Sequence, residues 1–183
     1  VFAQGEPVNT TRDLDVMIQG DGFFQVTMPD GQVRYTRDGS LRINANGNLV
    51  TSSGYLLEPA ITIPADWRKI VIGVDGTVSV FSGASTTPST VGQITLARFA
   101  NPSGMSSEGS NLLAETPASG APTTGAPGST GLGSLVQGFL EKSNVQMVTE
   151  LVNLITAQRA YEINSRAIRA GDEMLTTTNR LIQ

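Results

Sequence analysis

Between residues 13 and 99, apolar and polar positions alternate in short runs. Phe24, Val26 and Met28 form one run, Val33 and Tyr35 a second, Leu41 and Ile43 a third. A period of two marks a strand with one face on a core. The runs are separated by Asp21-Gly22, Asp30-Gly31, Asp38-Gly39 and Asn46-Gly47, dipeptides that supply the positive φ angles two-residue hairpins need. The pattern predicts further strands at 60–63, 70–72, 77–81 and 93–99, with a hairpin at Asp75-Gly76. Pro64-Ala65-Asp66 before Trp67 reads as one helical turn plugging the open end of the sheet. Strands spaced this closely, with no helical period between them, predict an antiparallel β-sandwich or barrel-like body.

The pattern then changes twice. Residues 116–133, "TPASGAPTTGAPGSTGLG", carry no charge and almost no large apolar side chain, which predicts a loop or flexible connector, open to ordering by packing on the β body because it lies inside the chain. Residues 134–143 predict a last strand. After Ser143 or Asn144, either of which can cap a helix, the period becomes helical to the end of the chain, and Gly171 is the one interruption between 145 and 181. About 37 residues at 1.5 Å each give a rod of about 55 Å, longer than the face of one small sheet. The expected organisation is an irregular lead-in at 1–12, a β-rich body at 13–143 and an assembly helix at 144–183. The fold class is mainly β with a C-terminal helix.

That helix carries a seven-residue series: Met147, Leu154, Tyr161, Ile168, Leu175 and Ile182. Such spacing makes a seam for a partner helix. Placed at position a of a heptad, these large residues are flanked by Ala157 and Asn164 at d and by Ala160 and Ala167 at g. The alanines allow close approach, and Asn164 can set register. Leu151, Val152 and Ile155 widen the apolar surface of the first half, as for a helix with more than one neighbour. Glu162–Arg166 and Arg169–Glu173 have ion-pair spacing, worth a few tenths of a kcal/mol each. No second long amphipathic pattern occurs in the sequence; the helix either folds back on its own β body, for which the stripe is long, or pairs with another copy or with a helix outside this sequence, which explains more of the stripe.

Composition removes most chemistry. The chain has no Cys and no His, so thiol nucleophiles, imidazole bases and the usual zinc ligands are missing. The Asp residues at 21, 30, 38 and 75 each precede Gly, the context of a turn residue rather than of an acid–base pair. Asn44, Asn46 and Gly47 have part of the spacing of a calcium loop, but Arg42 and Ser53 stand at its first and twelfth positions. The expectation is no enzyme, no cofactor and no metal. Net charge is −4 with no Lys/Arg-rich run, which speaks against nucleic acid, and no apolar run is long enough for membrane insertion.

Two long motifs then carry a resemblance. "DVMIQGDGFFQV" with "YTRDGSLRINANGNLVTSSGYLLEP" resembles the β-domain signature of bacterial flagellar rod and hook proteins, and "SNVQMVTELVNLITAQRAYEINSRAI" is similar to the C-terminal helix of that family. The segments "PAITIPADWRKIVIGVDGTVSV", "VGQITLARFANPSGMSSEGSNLLAET" and "GAPGSTGLGSLVQGFLEKSNV" fit its distal-rod branch. The resemblance implies an axial protein of the flagellar basal body, exported by the flagellar apparatus. It implies helical assembly into a drive shaft that crosses the periplasm and carries torque from motor to hook. Implied partners are further copies of the chain, proximal-rod and hook subunits, and contacts with ring bushings and peptidoglycan. In that family an N-terminal helical segment pairs with the C-terminal helix; the sequence begins at Val1, after the place where that segment is expected. The near alternative is a proximal-rod or hook subunit. A different class is a secreted carbohydrate-binding β module with an oligomerisation helix, which the 5% aromatic content disfavours.

Overall fold

A computed structural model describes residues 4–83, 85–129, 131–142 and 147–181; within the last range it describes the side chains of 151, 152, 154–166, 168, 169 and 174. The chain divides into two compact units, residues 1–142 and 143–183. Among the described residues the first unit holds sixteen short strands: β1 (Pro7–Asn9), β2 (Val16–Gln19), β3 (Phe23–Thr27), β4 (Val33–Thr36), β5 (Leu41–Ile43), β6 (Leu49–Thr51), β7 (Leu56–Glu58), β8 (Trp67–Ile72), β9 (Thr77–Ser82), β10 (Ser89–Gln93), β11 (Leu96–Arg98), β12 (Ser106–Gly109), β13 (Leu112–Ala114), β14 (Thr123–Gly125), β15 (Ser134–Gln137) and β16 (Phe139–Glu141). The second unit is the helix α1 (Met147–Leu181), which runs unbroken through Gly171. The fold is therefore mainly antiparallel β with one C-terminal helix.

Strand β3 organises the body. It pairs with β4 along one edge and with both β7 and β11 along the other, inside a nine-stranded sheet. A three-stranded sheet, β10-β9-β8, and the pair β15–β2 complete the core. Phe24 and Val26 of β3 enter one apolar cluster with Ile18, Leu41, Leu49, Leu57, Ile70 and Leu135. Burying a side chain the size of Phe24 contributes roughly 2–3 kcal/mol. The opposite face of β3 is also covered: Phe23 joins Tyr35, Ala97, Phe99 and Met105 in a second cluster. There Tyr35 meets Phe99 edge to face at 4.7 Å. Tyr35 thus belongs to this second cluster and Val33 is exposed.

Four turns share one five-residue design. In Met28–Gln32, Asn44–Asn48, Thr51–Tyr55 and 73–77, the first residue's N–H donates to the fifth carbonyl and the fourth residue's N–H donates to the first carbonyl. The fourth residue is Gly31, Gly47, Gly54 or Gly76, with φ between 81° and 88°. The residue before it, Asp30, Asn46, Ser53 or Asp75, has no positive φ, so the turns at the Asp-Gly and Asn-Gly pairs are not the expected two-residue hairpins but longer turns closed by a left-handed Gly. A loop with positive φ at both central residues joins β12 to β13 at Ser110-Asn111, without the Asp-Gly signal. Asp21-Gly22 and Asp38-Gly39 make no hairpin. They turn the chain between strands that pair elsewhere.

Several further expectations are corrected. The 60–63 segment is reduced to a single bridge between Thr62 and Asn48, although Ile61 and Ile63 are buried; Pro59 and Pro64 flank it and cannot donate to a ladder. The 93–99 run splits into the end of β10 and β11. Trp67 is no plug: it begins β8 and is 39% exposed. The connector at 116–133 takes the second of its two expected forms, ordered on the β body. Its β14 pairs with β11, and Thr116 and the buried Ser119 satisfy neighbouring backbone groups with their hydroxyls. The last strand breaks at Gly138, φ 79°, into β15 and β16. The lead-in is not wholly irregular, since β1 lies in it and pairs with β16.

Candidate assembly interface

The second unit presents apolar side chains to solvent. Leu151, Val152, Leu154 and Ile155 are each about half exposed, and Tyr161, Ile163 and Ile168 are more so. Of the proposed seam residues, Leu151, Leu154, Ala157, Ala160, Tyr161, Asn164 and Ile168 are exposed side chains of α1. Leu154, Ala157 and Tyr161, with Gln158 and Glu162, line one shallow groove. Met147, Ala167 and Leu175 lie on the helical backbone, with side chains outside the described set; Ile182 and the capping candidates Ser143 and Asn144 fall outside the described residues. Leaving this much apolar surface in water is unfavourable. Ile163 lies off the heptad seam, where the series did not look for it. Among the described residues the ion pairs fall in the β body, so the Glu162–Arg166 spacing is not closed into a pair; Glu173, the mate of Arg169, has no described side chain.

The first unit contributes the place where its two ends meet. Pro7, Val8 and Asn9 of β1 oppose Glu141, Leu140 and Phe139 of β16, antiparallel. The N–H of Lys142 donates to the carbonyl of Glu6 at 2.9 Å, and that of Thr10 to the carbonyl of Gly138. Gly5 passes so close to Lys142 that a Cβ would lie 1.7 Å from the Lys142 carbonyl oxygen. Below this pair sits Arg37, on the bend between β4 and β5. Its Nε donates to Glu141 Oε2 at 3.0 Å, and its Nη atoms donate to the carbonyls of Ile18, Gly20 and Gly22. Glu141 Oε1 accepts the N–H of Gly5 at 2.8 Å. Arg37 and Glu141 were not singled out by sequence reasoning. Their partners are remote in sequence, and an isolated Arg among strands gives no signal.

The turn carboxylates serve their own turns. Asp30, Asp38 and Asp75 each accept the N–H of the residue two positions on. Asn44 Oδ1 accepts from Asn46 and Asn48, which is the use its calcium-like spacing has here. Two hydrogen bonds from Thr77, the hydroxyl's first and then the N–H, hold the Asp75 carboxyl below its usual range. Burial pushes the Tyr35 phenol up, with Glu115 adding to the shift. Among the described residues no group of three or more acidic side chains is disposed around a common point for a metal.

Two family models match the chain. The flagellar hook protein FlgE/F/G D1 domain matches residues 17–80, and the flagellar basal body rod FlgEFG protein C-terminal domain matches residues 136–181. The chain is 49% identical over 181 residues to the flagellar basal-body rod protein FlgG of Buchnera aphidicola subsp. Schizaphis graminum, covering 99% of this chain and 70% of that protein. It is 49% identical over 183 residues to FlgG of Borreliella burgdorferi, covering 99% and 69%. It is 44% identical over 114 residues to the flagellar hook protein FlgE of Salmonella typhimurium, covering 62% of this chain but 28% of that protein.

Proposed function

This chain belongs to the family of flagellar basal-body rod and hook proteins, and we propose that it is a structural subunit of the distal rod, built by helical self-association to carry torque from motor to hook. The observation that carries the reading is the exposed apolar seam of α1, from Leu151 through Tyr161 to Ile168, on a chain whose rod relatives match it almost end to end. Interdigitated side chains along such a seam resist sliding, because close-packed interfaces are nearly incompressible. That is the property a shaft needs. Further copies of the chain supply the mates of the seam, with proximal-rod and hook subunits at the two ends of the stack. Ring and peptidoglycan contacts fall to the β body, and the subunit reaches its place across the periplasm through the flagellar export apparatus. A hook role has less support, since the hook relative is matched over a small part of its length.

The reading is tested by probing purified hook–basal bodies of the source bacterium with an antibody raised against residues 1–142. Labelling of the rod between ring and hook is expected. Label confined to the hook, or absent from basal bodies altogether, would overturn it.

A further inference from the structure

We infer that Arg37 is a clamp that fastens the two ends of the β body to each other and to its core. The strand pair β1–β16 is short, with three residues paired on each side. A ladder of that size frays readily unless something else holds it. The hydrogen bonds of Arg37 run from the bend after β4 to two other places. On one side they take the carbonyls of Gly20 and Gly22, at 3.1 and 3.0 Å, in the corner between β2 and β3. On the other they take Glu141 Oε2, with Nη2 2.9 Å from it. The planar fork suits this double duty, since its donors point in fixed directions toward separate acceptors.

Glu141 passes the hold on. Its second oxygen accepts the N–H of Gly5, so one carboxylate grips the strand leaving the body and the segment entering it. Gln4 adds a parallel tie, donating to the Ile18 carbonyl and accepting from the Gly20 N–H. The guanidinium also lies 5.9 Å from the Phe23 ring centroid, within cation–π range. The side chains of Arg37 and Glu141 are 22% and 14% exposed, so their attraction is only partly screened by solvent. Among the described residues, no strand of the nine-stranded sheet pairs with β1 or β16. Arg37 therefore supplies a direct polar tie between that sheet's β4–β5 bend and the paired ends.

The purpose assigned to the clamp, keeping the ends rigid under torque, rests on the rod reading; the clamp itself does not. It is tested by hydrogen–deuterium exchange on the full chain. In Arg37→Lys, which keeps the charge but loses the fork, amides at 5–9 and 139–142 are expected to exchange roughly tenfold faster or more. Protection of β3 to β7 is expected to stay at the wild-type level. Glu141→Gln, a milder change that decides the matter if Arg37→Lys does not fold, is expected to loosen the same two segments. Unchanged exchange at both segments in the variants would overturn the proposal, as would loosening spread evenly over residues 23–58. Either result would leave the rod reading standing, because that reading fails on the location of the protein in basal bodies.

Discussion

The Arg12 guanidinium lies 3.0 Å from the Asp15 carboxylate, and the two differ sharply in exposure, 53% against 1%. Among the described residues neither Asp15 oxygen has an aligned hydrogen-bond partner, so the contact is one of charge alone. Removing Arg12 leaves a buried carboxylate uncompensated, which is costly. Arg12→Ala is expected to destabilise the chain by about 1–3 kcal/mol in urea unfolding, the half-exposed arginine keeping the loss below that of a fully buried pair. Arg12→Ala combined with Asp15→Asn should recover part of the loss. No recovery in the double variant would show that the charge on Asp15 is not the cause.

Gly39 is required for space rather than for its φ. A Cβ there would lie 1.6 Å from the Val16 carbonyl oxygen, and the Gly39 carbonyl accepts the Val16 N–H at 3.0 Å. The clashing atom is backbone and cannot rotate away. Gly39→Ala is expected to cost about 3 kcal/mol or more, read as a lower urea midpoint with an unchanged slope. Gly31→Ala, with open space around it and φ of 81°, should cost about 1 kcal/mol.

Asp75 gives a pH signature. Its carboxyl is held below the ordinary value of 3.8, so the stabilisation is fully present above that unfolded-state value and is lost as pH falls through the lower folded-state value. A carboxyl chemical-shift titration should place the midpoint under 3.8. In Thr77→Val the hydroxyl bond is gone and the N–H bond remains, so the midpoint should move part of the way back. A midpoint unaffected by this substitution would assign the shift to something other than the Thr77 hydroxyl.

Tyr161 separates assembly from folding. Its side chain is 78% exposed and lines the groove with Leu154 and Ala157. Tyr161→Asp should leave the unfolding of the β body unchanged within about 0.5 kcal/mol. The same substitution in the chromosomal gene should abolish swarming and remove rods from isolated basal bodies. Normal swarming would place the seam elsewhere on α1.

Trp67 is the sole tryptophan of the chain. At 39% exposed it should emit at long wavelength and be quenched readily by iodide. A blue-shifted, unquenched emission would restore the buried plug that the sequence pattern suggested.

Local chemistry was legible and long-range pairing was not. Gly31, Gly47 and Gly76 announced turns because a left-handed residue has few alternatives to Gly. The same dipeptide at Asp38-Gly39 turns out to depend on Val16, which no neighbouring residue reveals. The alternation of Phe24 and Val26 found the main core, yet Phe23 is equally buried because β3 is covered on both faces. The heptad series of α1 was visible since helical period is a property of one segment. Arg37 was invisible: it joins Glu141, 104 residues away, and such a meeting is decided by topology.

The adjacency of β1 and β16 has a consequence for how such a subunit can vary. Asn9 and Phe139 face each other across one ladder, about 5 Å apart. Everything between them, fourteen strands and two cores, begins and ends at one doorway. Seen from the chain on either side, the whole body has the footprint of a tight turn. Lineages can enlarge, trim or reshape it without altering the spacing of what it is mounted on, as a lampshade can be exchanged without rewiring the fitting.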